Sequence, residues 1–133
     1  MNSLKEAVKF HGHLGPYLVL GILAGRLGLK KTGAKKYFGM EVSVYGANKK
    51  PRSCLIDGLQ LSTGATYGKG NIRKYAGRDI KIVMRNLIND KKISLIIDKQ
   101  LKKELGCLKG HHDSEKFAKG LLKRSKRLWL YQD

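Results

Sequence analysis

The residues from Tyr17 to Leu27 are apolar on nearly every side of a helix, and this most constrains how the chain folds. A surface helix keeps one polar face, so a helix without one belongs in the interior of a domain. Pro16 suits its first turn, and Gly28 is expected to end it. Gly21 and Gly25 stand four residues apart on one face, where a second element can approach closely. The sequence therefore predicts a central helix that another element packs against.

Hydrophobic patterning predicts an α+β domain around this helix. The other expected elements are a helix over Ser3–Phe10, a strand over Met40–Tyr45, a helix over Cys54–Thr63 capped by Ser53 and ended by Gly64, a hairpin of Ile80–Arg85 and Ile93–Ile97, a helix over Leu101–Leu105, a helix capped by Asp113, and a closing strand over Trp129–Tyr131. The chain has 133 residues and shows no repeat or linker, so we expect residues 1–133 to form one domain.

The charge balance favours anionic partners. The chain has 28 Lys and Arg residues against 10 Asp and Glu residues, which gives a net charge of +18. Nucleic acid, phosphorylated cofactors and acidic proteins all suit such a surface. The lysines are scattered along the chain, so a solvated lysine-rich surface explains the charge about as well as a binding patch does.

Cysteine content and hydropathy exclude two classes of protein. Cys54 and Cys107 could form at most one disulfide, which excludes a secreted scaffold built on disulfides. The most apolar stretch, Leu14 to Gly25, is shorter than the ~20 residues that span a bilayer. We therefore expect a cytoplasmic protein without a membrane helix.

Two histidines and one cysteine suggest a metal site. His11 and His13 flank Gly12 in a glycine-rich loop, and Gly12 lets the chain turn so that both imidazoles can reach one ion. Cys54 falls in the first turn of its predicted helix, where free backbone N–H groups and the helix dipole favour a thiolate, and Asp57 lies one turn further on the same face. The alternatives are ordinary hydrogen bonding by the histidines, a buried cysteine and an aspartate that stabilises the helix N-terminus.

The segment from Gly64 to Asn71 contains three glycines and a lysine but is not a P-loop, because it follows a helix and lacks Ser or Thr after Lys69. Gly68 and Gly70 could still form an anion-binding nest around Lys69 that orients a carboxylate or phosphate, and a plain tight turn explains the pattern equally well. Further along, Cys107 and the pair His111 and His112 resemble an exposed connection between helices more than a metal site.

Three blocks in order carry a family resemblance. They are Phe10-His11-Gly12-His13-Leu14-Gly15-Pro16, Cys54-Leu55-Ile56-Asp57-Gly58-Leu59-Gln60, and Thr63-Gly64-Ala65-Thr66-Tyr67-Gly68-Lys69-Gly70-Asn71. Together they resemble the family of the formylmethanofuran dehydrogenase E-subunit. The resemblance extends from Ser3 to about Ile97 and is loose over the last thirty residues. Many members of that family have a cysteine at the position of Gly15 and a glycine at that of Tyr17.

The resemblance implies a thioredoxin-like core, with a mixed sheet of about five strands flanked by helices. It also implies an active site in which His11, His13 and Cys54 hold zinc or a similar divalent ion. Cys54, Asp57 and Lys69 would be catalytic, and Gly68, Lys69, Gly70 and Asn71 would bind a cofactor or substrate. The C-terminal zinc finger that some members carry is not expected here, because the chain has no CxxC pair.

The leading functional hypothesis is a metal-binding domain linked to one-carbon and methane metabolism. Its implied partner is a larger molybdenum or tungsten dehydrogenase, to which the chain would belong as a component or an accessory protein. Two alternatives stay open, a metal-free thiol redox protein that uses Cys54 and a basic nucleic-acid-binding module. We also expect a homo-oligomer or docking on a larger partner, because a small core leaves apolar surface around Trp129 to Tyr131.

Overall fold

The structure is a computed structural model that describes residues 4–124 and 128–132. Helices and strands alternate irregularly along this part of the chain. In chain order the elements are α1 (Leu4–His11), α2 (Pro16–Thr32), β1 (Met40–Tyr45), α3 (Cys54–Thr63), β2 (Ile72–Tyr75), β3 (Lys81–Asn86), β4 (Lys92–Ile97), α4 (Lys99–Gly106), α5 (Gly110–Leu121) and β5 (Trp129–Gln132). Over these ranges no helix is long and apolar enough to cross a membrane.

The five strands form one mixed sheet in the order β2-β1-β3-β4-β5. β1 and β2 run parallel, while the other neighbouring strands are antiparallel. The expected α+β class and the mixed five-stranded sheet are therefore confirmed, as are the hairpin and the closing strand. The thioredoxin-like arrangement stays a prediction. β2 was not predicted, because Ile72 is its one buried residue and the strand shows no alternation.

The central helix packs on α3 through small residues. A Cβ atom added at Gly21 would collide with the carbonyl oxygen of Leu55, and one added at Gly25 would collide with the hydroxyl of Ser62. Gly58 of α3 meets the backbone of α2 at Leu18 in the same way. The close approach predicted from the glycine spacing is confirmed, and it brings the N-terminal ends of α2 and α3 together.

The sheet has one buried face and one face without helices. Met40, Val42 and Val44 of β1 are fully buried in a core shared with the helices, as the strand pattern predicts. The alternate residues Ser43 and Tyr45 are half-buried and do not belong to that core. β1 lies between β2 and β3 in the sheet, and its side chains alternate between the two faces. The face that carries Ser43 and Tyr45 is therefore the open face of the sheet.

Three local predictions were wrong. α2 continues past Gly28 to Thr32 and is capped by Gly33, which has a left-handed φ of 71°. Gly28 does not end the helix; it gives room to the Met84 side chain. Ser53 makes no capping hydrogen bond and has helical backbone angles. Asp113 lies inside the first turn of α5 and does not cap it, since Lys109 occupies the cap position.

Candidate functional site

A histidine and an aspartate join α1 to α3. Nδ1 of His11, the last residue of α1, lies 2.6 Å from Oδ2 of Asp57 in the first turn of α3. The His11 side chain is 10% exposed and that of Asp57 is 35% exposed. A carboxylate at one ring nitrogen fixes the tautomer and orientation of an imidazole and leaves Nε2 for another partner.

The second histidine lies in the loop that follows α1. Gly12 has a φ of 109°, a backbone conformation that suits glycine, so the chain turns between the two histidines as expected. The ring centroids of His11 and His13 are 5.0 Å apart. His13 also contacts His111 of α5 edge to face, with ring centroids 5.9 Å apart. Three imidazoles, two from the end of α1 and its following loop and one from α5, thus form a continuous series.

A cavity of about 380 Å³ opens beside this series. It is bounded by the loop after α1 and by the N-terminal regions of α2, α3 and α5. We call it the His/Cys cavity, and its lining residues are His13, Gly15, Pro16, Tyr17, Lys50, Pro51, Cys54, Leu105, Leu108, Gly110, His111 and Ser114. Its volume lies in the range of small-molecule sites, and its few polar groups stand among apolar walls. A larger, more open groove of about 650 Å³ runs along α4 and α5 and has neither histidine nor cysteine on its walls.

Cys54 begins α3 and is half-buried at the cavity wall. The expectation of a stabilised thiolate is wrong for the protein without a bound ion. Burial raises the pKa of the Cys54 thiol above its ordinary value, and the negative charge of Asp57 raises the pKa further. Lys50 and the backbone N–H of Cys54 lower the pKa but do not reverse the shift.

The local turn explains why the helix N-terminus helps so little. The N–H of Cys54 donates to the Pro51 carbonyl at 3.1 Å, and the N–H of Leu55 donates to the Arg52 carbonyl at 3.0 Å. The turn that precedes α3 already uses these two N–H groups, so they are not the free donors expected from the sequence, and the N–H of Cys54 offsets only part of the rise in the thiol pKa.

A tyrosine stands at the same cavity wall. Burial raises the pKa of Tyr17, and the Arg52 guanidinium, which hydrogen bonds with it, lowers the pKa by less. Arg52 also donates to the carbonyl oxygens of Gly46 and Arg78, at 3.2 and 2.8 Å. The phenol of Tyr17 is therefore protonated at neutral pH and held by a fixed cation.

The loop after α3 uses most of its polar groups internally. The Asn71 amide nitrogen donates to the carbonyls of Tyr37 and Met40 at 2.6 and 3.1 Å, and its oxygen accepts from the N–H of Thr66 at 2.9 Å. The N–H groups of Lys69 and Gly70 both donate to the Thr66 carbonyl. As placed, these two N–H groups are not free to form an anion-binding nest.

The Lys69 ammonium donates to the Thr66 hydroxyl at 3.1 Å and lies 5.4 Å from the centre of the Phe38 ring. Within the described ranges, its contacts do not connect Lys69 to His11, His13 or Cys54. The catalytic and binding roles expected for Lys69, Gly68, Gly70 and Asn71 stay predictions.

The side-chain types of the expected ligands, two imidazoles and one thiol, are suited to a divalent ion. Imidazole and thiolate are the ligands that zinc takes, and metal-bound histidines commonly hold a carboxylate at the other ring nitrogen, as His11 does. Among residues 4–124 and 128–132, however, no three His, Cys, Asp or Glu side chains are grouped so that they could hold one ion. The structure brings His13 and Cys54 to one cavity and pairs His11 with Asp57.

Sequence reasoning missed His111 as a site residue. It lies at the second position of α5, in the segment expected to be an exposed connection, and it is indeed exposed. Its contact with His13 arises because α5 packs against α2, which begins directly after the His13 loop. No pattern in the sequence around His111 signals that packing.

Two comparisons with known proteins show what the chain is similar to. A family profile described as "FmdE, Molybdenum formylmethanofuran dehydrogenase operon" matches residues 10–128, nearly the whole chain. An archaeal relative, the "Probable S-adenosyl-L-methionine-binding protein" of Archaeoglobus fulgidus, is 31% identical over 70 residues, which are 52% of this chain and 19% of the relative. The matching part therefore spans about a fifth of that relative's length.

Proposed function

The chain belongs to the FmdE family, and we propose that it is an accessory domain of a formylmethanofuran dehydrogenase-type oxidoreductase that binds a divalent metal, zinc or a similar ion, beside the His/Cys cavity. The family is described by its place in the molybdenum formylmethanofuran dehydrogenase operon. The proposed partner is accordingly the molybdenum or tungsten enzyme of such a system. The proposed ligands are His11, His13 and Cys54.

The observation that carries the proposal is the hydrogen bond between His11 and Asp57. An aspartate 2.6 Å from Nδ1 fixes the ring of His11 and leaves Nε2 directed away from the carboxylate. His13, whose ring is 5.0 Å from that of His11, stands at the wall of the His/Cys cavity together with Cys54. Because the three side chains do not form a closed cluster without an ion, binding requires a change of rotamer in at least one of them.

Each residue has a separate part in the proposal. Asp57 holds the ring of His11 and is a positioning residue. Cys54 supplies a soft ligand and loses its proton on binding, so affinity for metal falls as pH decreases. Tyr17 and Lys50 face the cavity, where a phenol and an ammonium can orient an anionic substrate such as a carboxylate. When bound, the ion would supply Lewis-acid chemistry to an oxygen of that substrate.

A metal-free thiol reaction is less well supported. Such a reaction needs a thiolate at neutral pH, whereas burial and Asp57 raise the pKa of Cys54. A metal ion removes this difficulty, because it stabilises the thiolate directly.

Cobalt and zinc titrations of chelator-treated protein test the proposal. We expect Co²⁺ to produce a thiolate-to-metal charge-transfer band that Zn²⁺ abolishes, with one ion bound per chain. Cys54→Ser should abolish the band, whereas Cys107→Ser, a change at an exposed thiol, should leave it intact. A band that persists in Cys54→Ser and disappears in Cys107→Ser, or no binding at all by the wild type, would contradict the proposal.

A further inference from the structure

The open face of the sheet carries a row of aromatic and basic side chains. Strand register places Tyr75 of β2 beside Tyr45 of β1, and Tyr45 opposite Lys81 of β3. In the next row, Arg73 of β2 lies beside Ser43 of β1. We call Tyr45, Tyr75, Lys81 and Arg73 the sheet-face patch. It lies on the side of the sheet opposite the helices, away from the His/Cys cavity.

The two tyrosines of the patch already form an ordered stack. Their ring centroids are 5.0 Å apart with 22° between the ring planes, and the Lys81 ammonium lies 6.0 Å from the centre of the Tyr45 ring. Tyr75 lies on the edge strand β2 and is 40% exposed. The stack therefore ends in a ring to which a further planar group has access.

The charge around this stack is positive. Arg73 is exposed, and among the described residues no carboxylate pairs with Arg73 or Lys81. Glu41 is the acidic residue on this face among the strand residues that the structure describes. Arg85 binds its carboxylate at 3.2 Å. Arg85 also binds Asp90, at 2.6 Å. The acidic groups near the sheet are thus occupied, while the two basic groups beside the tyrosines have no acidic partner in the part of the chain that is described.

We propose that the sheet-face patch binds single-stranded nucleic acid, with a base stacked on Tyr75 and neighbouring phosphates bound by Arg73 and Lys81. A flat sheet that presents aromatic rings flanked by cations matches the alternation of planar bases and anionic phosphates along a single strand. Bases in a duplex are stacked on each other and cannot reach a tyrosine on a sheet. The net charge of +18 adds long-range attraction without sequence preference.

Fluorescence anisotropy with a labelled oligothymidylate of about a dozen nucleotides tests this assignment. We expect binding at low salt that weakens as salt increases, and weaker binding to a duplex of equal length. Tyr75→Leu keeps an apolar residue on the strand and should lower affinity about fivefold or more. Lys81→Gln should weaken binding and reduce the salt slope by about 0.7, the value for one lost phosphate contact.

A matched charge control separates this patch from general attraction to a basic protein. Lys116→Gln removes one positive charge from an exposed position of α5, on the helical side. It should reduce affinity much less than Lys81→Gln does. Thermal unfolding of each variant verifies that the fold is retained, and Arg73→Gln provides a second test where Lys81→Gln disturbs the strand.

Three results would overturn the proposal. The first is the absence of any anisotropy change at low salt. The second is equal loss of affinity in Lys116→Gln and Lys81→Gln with no effect of Tyr75→Leu, which would indicate diffuse electrostatic attraction. The third is a dimer, detected by sedimentation of the protein alone, that Tyr75→Leu dissociates, because the patch would then be covered by a second copy of the chain.

Discussion

The imidazole of His11 and the carboxylate of Asp57, 46 residues apart in sequence, lie 2.6 Å from each other. The contact exists because the glycines of α2 and α3 let the two helices pack closely, while α1 packs on α3. The orientation of His11, a candidate ligand, therefore depends on how α1, α2 and α3 pack together.

Replacing the aspartate tests its positioning role. Asp57→Asn keeps the size of the side chain and removes its charge, so we expect affinity for zinc to fall by about 10- to 100-fold. The same change should lower the pKa of Cys54, because the negative charge of Asp57 raises it. Competition with a chromophoric chelator measures the affinity, and thiolate absorbance in the ultraviolet, recorded in a Cys107→Ser background, measures the pKa. An unchanged affinity would remove Asp57 from the site.

The two cysteines should differ in reactivity in the protein without metal. Cys107 is exposed, whereas burial and Asp57 raise the pKa of the half-buried Cys54. We therefore expect iodoacetamide to modify Cys107 first at neutral pH, and the rate at Cys54 to increase only at a pH above the range usual for a free thiol. Mass spectrometry of timed samples measures both rates. Faster modification of Cys54 would show that its environment favours the thiolate after all.

Helix packing should tolerate no methyl group at Gly58. A Cβ atom there collides with the backbone of Leu18 and lies 2.7 Å from the Ile22 nitrogen. We expect Gly58→Ala to reduce the free energy of unfolding by about 1–3 kcal/mol. Gly120→Ala is the control, because a Cβ atom at this helical position meets nothing within 4 Å. It should increase the free energy of unfolding by about 0.5–1 kcal/mol. Equal effects in denaturant titrations would contradict the packing described for α2 and α3.

Asn71 should prove structural. Its amide makes three hydrogen bonds to backbone groups of Tyr37, Met40 and Thr66, so we expect Asn71→Ala to reduce the free energy of unfolding by about 1–3 kcal/mol. Zinc affinity should be unchanged, because these contacts do not extend to His11, His13 or Cys54. A variant of normal stability with weakened binding would instead support the cofactor role expected from the family resemblance.

An ion pair at the surface gives a pH dependence of known sign. Lys102 donates to Asp79 at 2.5 Å, and this hydrogen bond lowers the pKa of the Asp79 carboxyl. A carboxyl with a lowered pKa in the folded state stabilises the fold above the ordinary aspartate pKa, and the contribution is lost as pH falls through the lowered value. Lys102→Gln should return the pKa toward its ordinary range, which an NMR titration of Asp79 measures. An identical titration in the two proteins would show that the pair does not form in solution.

Much of the fold follows from local sequence pattern. The apolar run of α2 and the strict alternation of Met40–Tyr45 each report burial directly, because every turn of a buried helix and every second residue of a half-buried strand must avoid water. The helix expected from Cys54 to about Thr63, with Gly64 after it, is found as α3, since Gly64 adopts the left-handed conformation that ends a helix.

The tertiary structure decided what local pattern could not express. Gly28 does not end α2, because the space it leaves is filled by Met84 of a distant strand. β2 has one buried residue and so shows no alternation of apolar and polar residues in the sequence. It forms a strand because its backbone pairs with that of β1. His111 reaches His13 because α5 packs on α2, and the pKa of Cys54 is raised by burial and by the charge of Asp57. Local sequence pattern determined most of the helices and strands and identified His11, His13 and Cys54 as candidate ligands. The distances between these side chains depend on how the helices pack, and the raised pKa of Cys54 depends on burial and on the charge of Asp57, which only the folded chain brings together.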